Sequence, residues 1–182
     1  MPEKEATVSN IRNNMQGHTI VHLACHGVAM EIPKEERVLR ALVVTADIPR
    51  DDGFLEFHDI LKLNLGSCKL AVLSACVTNT GPDQLGEGTW SMGRGFLIAK
   101  AKRVVTTNWD VADVASAHLI SRFIDTVNES QNPDYAVALR DAKRRIRGGT
   151  IVLEGDRPQD DRETPEWRHP YYWAPFVLIG PN

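Results

Sequence analysis

The chain has 182 residues, 25% of them charged and 42% hydrophobic, with a formal net charge of -3. That length suits one domain with a sizeable core, residues 1–182, and the slight acidity gives no electrostatic reason to expect direct contact with nucleic acid. No apolar run approaches the roughly 18 residues of a membrane span, the opening "MPEKEATVSN" lacks the apolar stretch of a secretory signal, and three cysteines without CxxC spacing fit neither a disulfide framework nor a zinc knuckle. A cytoplasmic protein with reduced thiols and no membrane contact is expected.

Residues 1–17 contain "EATVSNIRNNMQ", where Val8, Ile11 and Met15 recur at helical spacing and predict a leading amphipathic helix. "HTIVHLAC" and, later, "KLAVLSAC" are continuous apolar runs of the kind that form central strands. Between them "RVLRALVV" predicts a strand, "IPRDDGF" a turn, and "LEFHDILKLNL" a short helix with Leu55, Ile60, Leu61, Leu63 and Leu65 turned inward. A loop, "VTNTGPDQLGEG", leads to a predicted helix in "TWSMGRGFLIAKA", a strand in "KRVVTTNW" and helices in "VADVASAHLISRFIDTV" and "PDYAVALRDAKRRIR". Residues 154–169 are polar, Pro-containing and aperiodic, hence an exposed loop, and "YYWAPFVLIG" closes the chain as a strand. Strands alternating with helices predict an α/β domain around a largely parallel sheet.

In an open parallel sheet, reactive groups collect where strands end at their carboxyl edge. "VHLACHG" and "VLSAC" deliver His26 and Cys76 to that edge from separate strands, 50 residues apart. A cysteine nucleophile needs a neighbouring base to favour thiolate, and imidazole also suits protonation of a leaving amine. Gly27 permits a tight turn and close approach of a substrate, so its N–H and that of Cys76 form a candidate oxyanion hole.

Each residue also has an ordinary structural role to weigh against chemistry. Strand-end cysteines usually fill the core, and burial is the expected role of Cys25 and Cys68. His22 lies within the first strand and reads as a packed, hydrogen-bonded histidine. His18, His22 and His26 share alternate spacing, which would suit a metal-dependent hydrolase, but no acidic or thiolate ligand accompanies them, so neither metal nor other cofactor is expected. The basic "KRRIR" complements a helix C-terminus without nucleic acid. There is no GxSxG elbow, no GxxxxGK[ST] loop and no GxGxxG after a strand.

Taken together, "IVHLACHG", "LAVLSACVTNTG", "GEGTWSMGRGFLIAKAKRVVTTNWDVAD" and "HPYYWAPFVLIG" resemble, in order, the blocks of the CHAT domain, a branch of the caspase-like, separase-related cysteine peptidases. The resemblance implies a three-layer α/β/α fold with a central, mostly parallel sheet, and peptide-bond hydrolysis of protein substrates by a Cys-His dyad matching His26 and Cys76. It also implies a separate or fused sensor module, such as tetratricopeptide repeats, and a regulated effector role in signalling or bacterial defence. In caspase-like folds the strand after the nucleophile's helix pairs with the substrate backbone; the matching piece is "VTTNWDVAD". There Trp109 is a candidate pocket wall or, equally, a packed residue of the core or helix cap, and Asp110 and Asp113 are candidates to select a basic side chain or to cap the next helix, capping being the expected role of Asp113. Two departures from the family pattern stand out: Lys100 replaces the small residue of an "AGA" stretch, and "GRAF" becomes "GRGF" at Gly95. A caspase-like binding module without turnover is the rival expectation.

Overall fold

The computed structural model describes residues 7–32, 37–43, 53–75, 83–84, 88–89, 91–148 and 165–181. The chain divides into two compact units, Met1–Asp110 with Ile179–Pro181, and Val111–Leu178 with Asn182. The α/β class predicted from the alternation of elements is the one observed, with a central, mostly parallel sheet and helices.

In the first unit, α1 (Val8–Met15) starts where the Thr7 hydroxyl accepts the Asn10 N–H at 3.1 Å, a side-chain cap on the first turn. It leads into β1 (Ile20–Ala24), which pairs in parallel with β5 (Leu70–Ser74), itself paired in parallel with β8 (Val104–Thr107). All four residues of β8 are buried, as are Leu70 to Leu73 of β5, which explains why these segments read as continuous apolar runs. One face of the sheet gives Val21, Ala71, Leu73, Ala75 and Val104 to a core shared with Met15, Ile60, Met92 and Phe96.

A second, antiparallel sheet joins β2 (His26–Ile32), β3 (Arg37–Val43) and β4 (Phe54–Glu56). It carries three corrections to the sequence reading. "HTIVHLAC" forms the expected strand, β1, but at the edge of the described parallel sheet with Val21 as its one buried residue, and after a bend at Cys25 a new strand begins at His26. Gly27 therefore lies inside β2, opposite Leu42, rather than in a tight turn. The helix expected over "LEFHDILKLNL" is a strand followed by the short α2 (Phe57–Ile60), because Phe54 to Glu56 pair with β3 and the Glu56 N–H is taken by the Asp59 carboxylate at 3.4 Å. Leu55, Ile60, Leu63 and Leu65 turn inward as expected, whereas Leu61 is 37% exposed.

Two-residue strands β6 (Asp83–Gln84) and β7 (Gly88–Thr89) pair with each other and precede α3 (Met92–Ile98) in the chain, and the rest of the loop expected over "VTNTGPDQLGEG" lies outside the described residues. The Ser91 hydroxyl caps α3 by accepting the Arg94 N–H at 3.2 Å. At its other end the N–H of Lys100 bonds Leu97 O at 2.9 Å and that of Ala101 bonds Phe96 O at 3.0 Å, the pair of bonds that defines a Schellman turn. Lys100 accordingly takes φ +77°, a left-handed conformation that favours glycine. The departure at Lys100 thus falls on a position where a small, Cβ-free residue has a backbone reason to be.

The second unit is built on α4 (Asp113–Asn128) packed against α5 (Tyr135–Gly148); α4 buries Ala115, Leu119, Ile120 and Phe123, and α5 buries Ala138, Leu139, Ala142 and Ile146. The Asp134 carboxylate, just after Pro133, accepts the Val137 N–H at 2.8 Å and starts α5. Two 3-10 turns, Pro165–Arg168 and Pro170–Tyr172, precede β9 (Phe176–Ile179). "YYWAPFVLIG" becomes strand only from Phe176, since Tyr171 and Tyr172 belong to a turn and Pro175 lacks the N–H a ladder needs. Most of the loop expected over 154–169 lies outside the described residues.

Candidate active site at the carboxyl edge of the sheet

The parallel register fixes where the three parallel strands β1, β5 and β8 leave the sheet. Ala24, the last residue of β1, stands opposite Ser74, the last of β5, and β8 runs parallel on the other side of β5. Cysteine 25 follows Ala24 and is half-buried; His26 comes next, exposed, as the first residue of β2 opposite Val43. Trp109, 36% exposed, and the exposed Asp110 follow two and three residues after Thr107 ends β8. Cys76 lies outside the described residues; in sequence it follows Ser74 by the same two residues that separate His26 from Ala24.

Two side-chain hydrogen bonds clamp these strand exits, and both involve residues that the sequence reading had left out of the site. His22 Nε2 lies 2.9 Å from Ser74 Oγ, tying β1 to β5. His22 is exposed as a residue, yet the packing around its ring strips hydration from the charged form and holds its pKa below the ordinary 6.5. On the other flank, the buried Thr107 hydroxyl donates to the Ala75 carbonyl, tying β8 to the last described residue of the β5 exit. The signal for both was available in sequence only once parallel pairing was assumed: polar side chains near the ends of otherwise apolar strands.

The remaining thiols are unsuited to nucleophilic work. Burial pushes the Cys25 thiol up to about 11 and raises that of the fully buried Cys68 as well, keeping both protonated near neutrality. Among the described residues no three His, Cys, Asp or Glu side chains gather as a metal site, and the bend at Cys25 takes His26 off the strand that carries His22. Nor is any described helix long and apolar enough to cross a membrane.

Asp113 does not cap α4. The N-cap position is Ala112, without a side-chain bond, and Asp113 is the exposed first residue of the helix. Its carboxylate complements the helix dipole instead, because the cap falls one residue earlier than the sequence suggests.

The fold and the edge together define an α/β protein with candidate chemistry at the ends of adjacent parallel strands. The family model of the CHAT domain matches residues 2–181, nearly the whole chain, and the protein belongs to that caspase-like, cysteine peptidase-related family. No curated protein matches the sequence.

Proposed function

We propose that the protein is a cysteine endopeptidase using a Cys76–His26 dyad. The observation that carries this reading is the Ala24–Ser74 register: the strands leading to the base and to the nucleophile end side by side, and each residue follows its strand by the same offset. His26 takes the Cys76 proton, and the thiolate attacks the scissile carbonyl, forming an S–C bond. Collapse of the tetrahedral intermediate breaks the C–N bond, with the proton passing from His26 to the leaving amine. Water, deprotonated by His26, then attacks the thioester and releases the carboxylate and the thiol. The N–H groups of Gly27 and Cys76 are the proposed oxyanion donors, each worth roughly 3 kcal/mol in hydrolases of known mechanism.

Because β5 lies between β1 and β8, the strand that leads to the nucleophile is flanked by the strand that leads to the base and by the strand that leads to Trp109 and Asp110. Trp109 serves as a wall for the side chain preceding the cut, and Asp110 as its selector for a basic group. The family membership supports a regulated effector role beneath a sensor module, in signalling or bacterial defence.

The test is a cleavage profile of a denatured proteome by the wild type, Cys76→Ala and His26→Gln, with new peptide termini read by mass spectrometry. Cuts that vanish in both variants while their melting temperatures hold support the dyad. Cuts that survive Cys76→Ala refute it, and the absence of cuts from all three, even with a candidate activator, favours a caspase-like binding module.

A further inference from the structure

The second unit carries a charge pattern that the cleavage reading leaves unused. In a chain of net charge -3, α5 alone holds Arg140, Lys143, Arg144, Arg145 and Arg147 against one carboxylate, Asp141. Four of the five recur at helical spacing on one face. With Leu139, Trp173 and Leu178, the side chains of Arg140, Lys143, Arg144 and Arg147 line an open groove of about 360 Å³.

The cations differ in how they are satisfied. Arg140 Nε lies 3.0 Å and Arg144 Nη1 3.6 Å from the same Asp141 oxygen, in side chains about half exposed or more, where such pairs exchange readily for another anion. Lys143 is half-buried and Arg147 exposed, and neither has an acidic partner among the described residues. Burial also holds the Lys143 ammonium below its ordinary value, the signature of a cation short of water and counter-charge.

We infer that this face of α5 is a docking groove for an extended acidic peptide segment of a partner protein, with carboxylates at alternate positions and an apolar side chain on the same face. Dimensions support this occupant. From Ala136 to Arg147 the lining spans eleven helical steps, about 16 Å, which is the length of about five extended residues. The axial steps from Arg140 to Arg144 and from Lys143 to Arg147 are each about 6 Å, close to the roughly 6.5 Å between alternate side chains of an extended chain. Leu139, Leu178 and the Trp173 ring supply the apolar seat.

Single-stranded nucleic acid fits less well. It binds through several aromatic faces that stack successive bases, whereas this groove offers one indole, itself half-buried and donating its N–H to Arg168 O at 3.1 Å.

The experiment is fluorescence anisotropy of the full chain with a fluorescein-labelled Glu-Ser-Glu-Ser-Leu peptide, its Gln-Ser-Gln-Ser-Leu counterpart and a labelled pentauridylate. Saturable binding of the acidic peptide is expected, at least about tenfold tighter than that of the Gln peptide. The double substitution Lys143→Gln with Arg147→Gln should weaken it by about tenfold or more, while Arg145→Gln, which removes a charge outside the groove, leaves it unchanged. Equal binding of the two peptides, equal loss in Arg145→Gln, or tighter binding of pentauridylate would overturn the inference. The comparison of the two peptides on the wild type needs no variant, so it stays decisive even if the double substitution impairs folding.

Discussion

The Thr107–Ala75 hydrogen bond gives a prediction whose sign separates two physical causes. Thr107 is fully buried, and its hydroxyl satisfies a carbonyl at the exit of β5. Thr107→Val keeps the shape and the β-branching but leaves the Ala75 carbonyl without this donor, at a cost of about 2 kcal/mol. Thr107→Ser keeps the donor and removes one buried methyl, at a cost of about 1 kcal/mol. For a chain of this size the melting temperature should fall by roughly 4–8 °C for Val and roughly 2–4 °C for Ser. Thermal denaturation followed by circular dichroism reads both. Cleavage should fall further in Val than in Ser, because the lost bond positions the residue just before Cys76. If Ser proves the more destabilising variant, methyl packing and not the hydrogen bond holds the exit, and the clamp described above is wrong.

The other expectations are as follows. Iodoacetamide at neutral pH should label Cys76 first, with Cys25 labelled appreciably only as pH climbs toward about 11, as peptide mapping across a pH series would reveal. Because the folded pKa of His22 is lowered, the unfolded chain binds more protons below about 6.5, so stability contributed by the neutral ring is present above that pH and is lost as pH falls toward the folded value. Urea midpoints of the wild type should therefore drop more steeply than those of His22→Gln between about pH 7.5 and about pH 5, and parallel slopes would argue against the desolvated ring. Lys100→Gly should stabilise the chain by about 1 kcal/mol by relieving the left-handed backbone, and a loss of stability in urea titration would contradict the Schellman assignment. Gly180→Ala should destabilise by about 1–3 kcal/mol, since at φ +121° its Cβ would lie 2.6 Å from Lys102 O and 2.9 Å from Arg103 Cα; an unchanged melting temperature would count against that close approach.

The parallel strands and long helices were legible because their burial is lopsided or complete. "KLAVLSAC" and "RVVTT" have no exposed face to interrupt them, and α4 and α5 show an unbroken 3.6 period. What escaped was structure set by partners rather than by local pattern. Nothing in "HGVAMEI" alternates strongly enough to announce β2; it is a strand because β3 pairs with it along its whole length. The three residues of β4 were absorbed into a neighbouring helix for the same reason. At the site, His26 was expected at a strand end and instead begins β2, Cys76 lies outside the described residues, and the His22–Ser74 and Thr107–Ala75 bonds depend on which strands are neighbours, which sequence periodicity does not specify.

The bend at Cys25 also has a mechanical side. His26 is the first residue of an arm that extends to Ile32, six residues and about 20 Å away. A tilt of that arm by about 10° about the bend carries Ile32, seven residues from the fulcrum, through about 4 Å but shifts His26, one residue from it, by only about 0.6 Å. The proposed base is thus seated near the axis of its own lever. Contacts made at the Ile32 end of β2 are mechanically isolated from the imidazole, so substitutions or bound partners there leave the position of His26 nearly undisturbed.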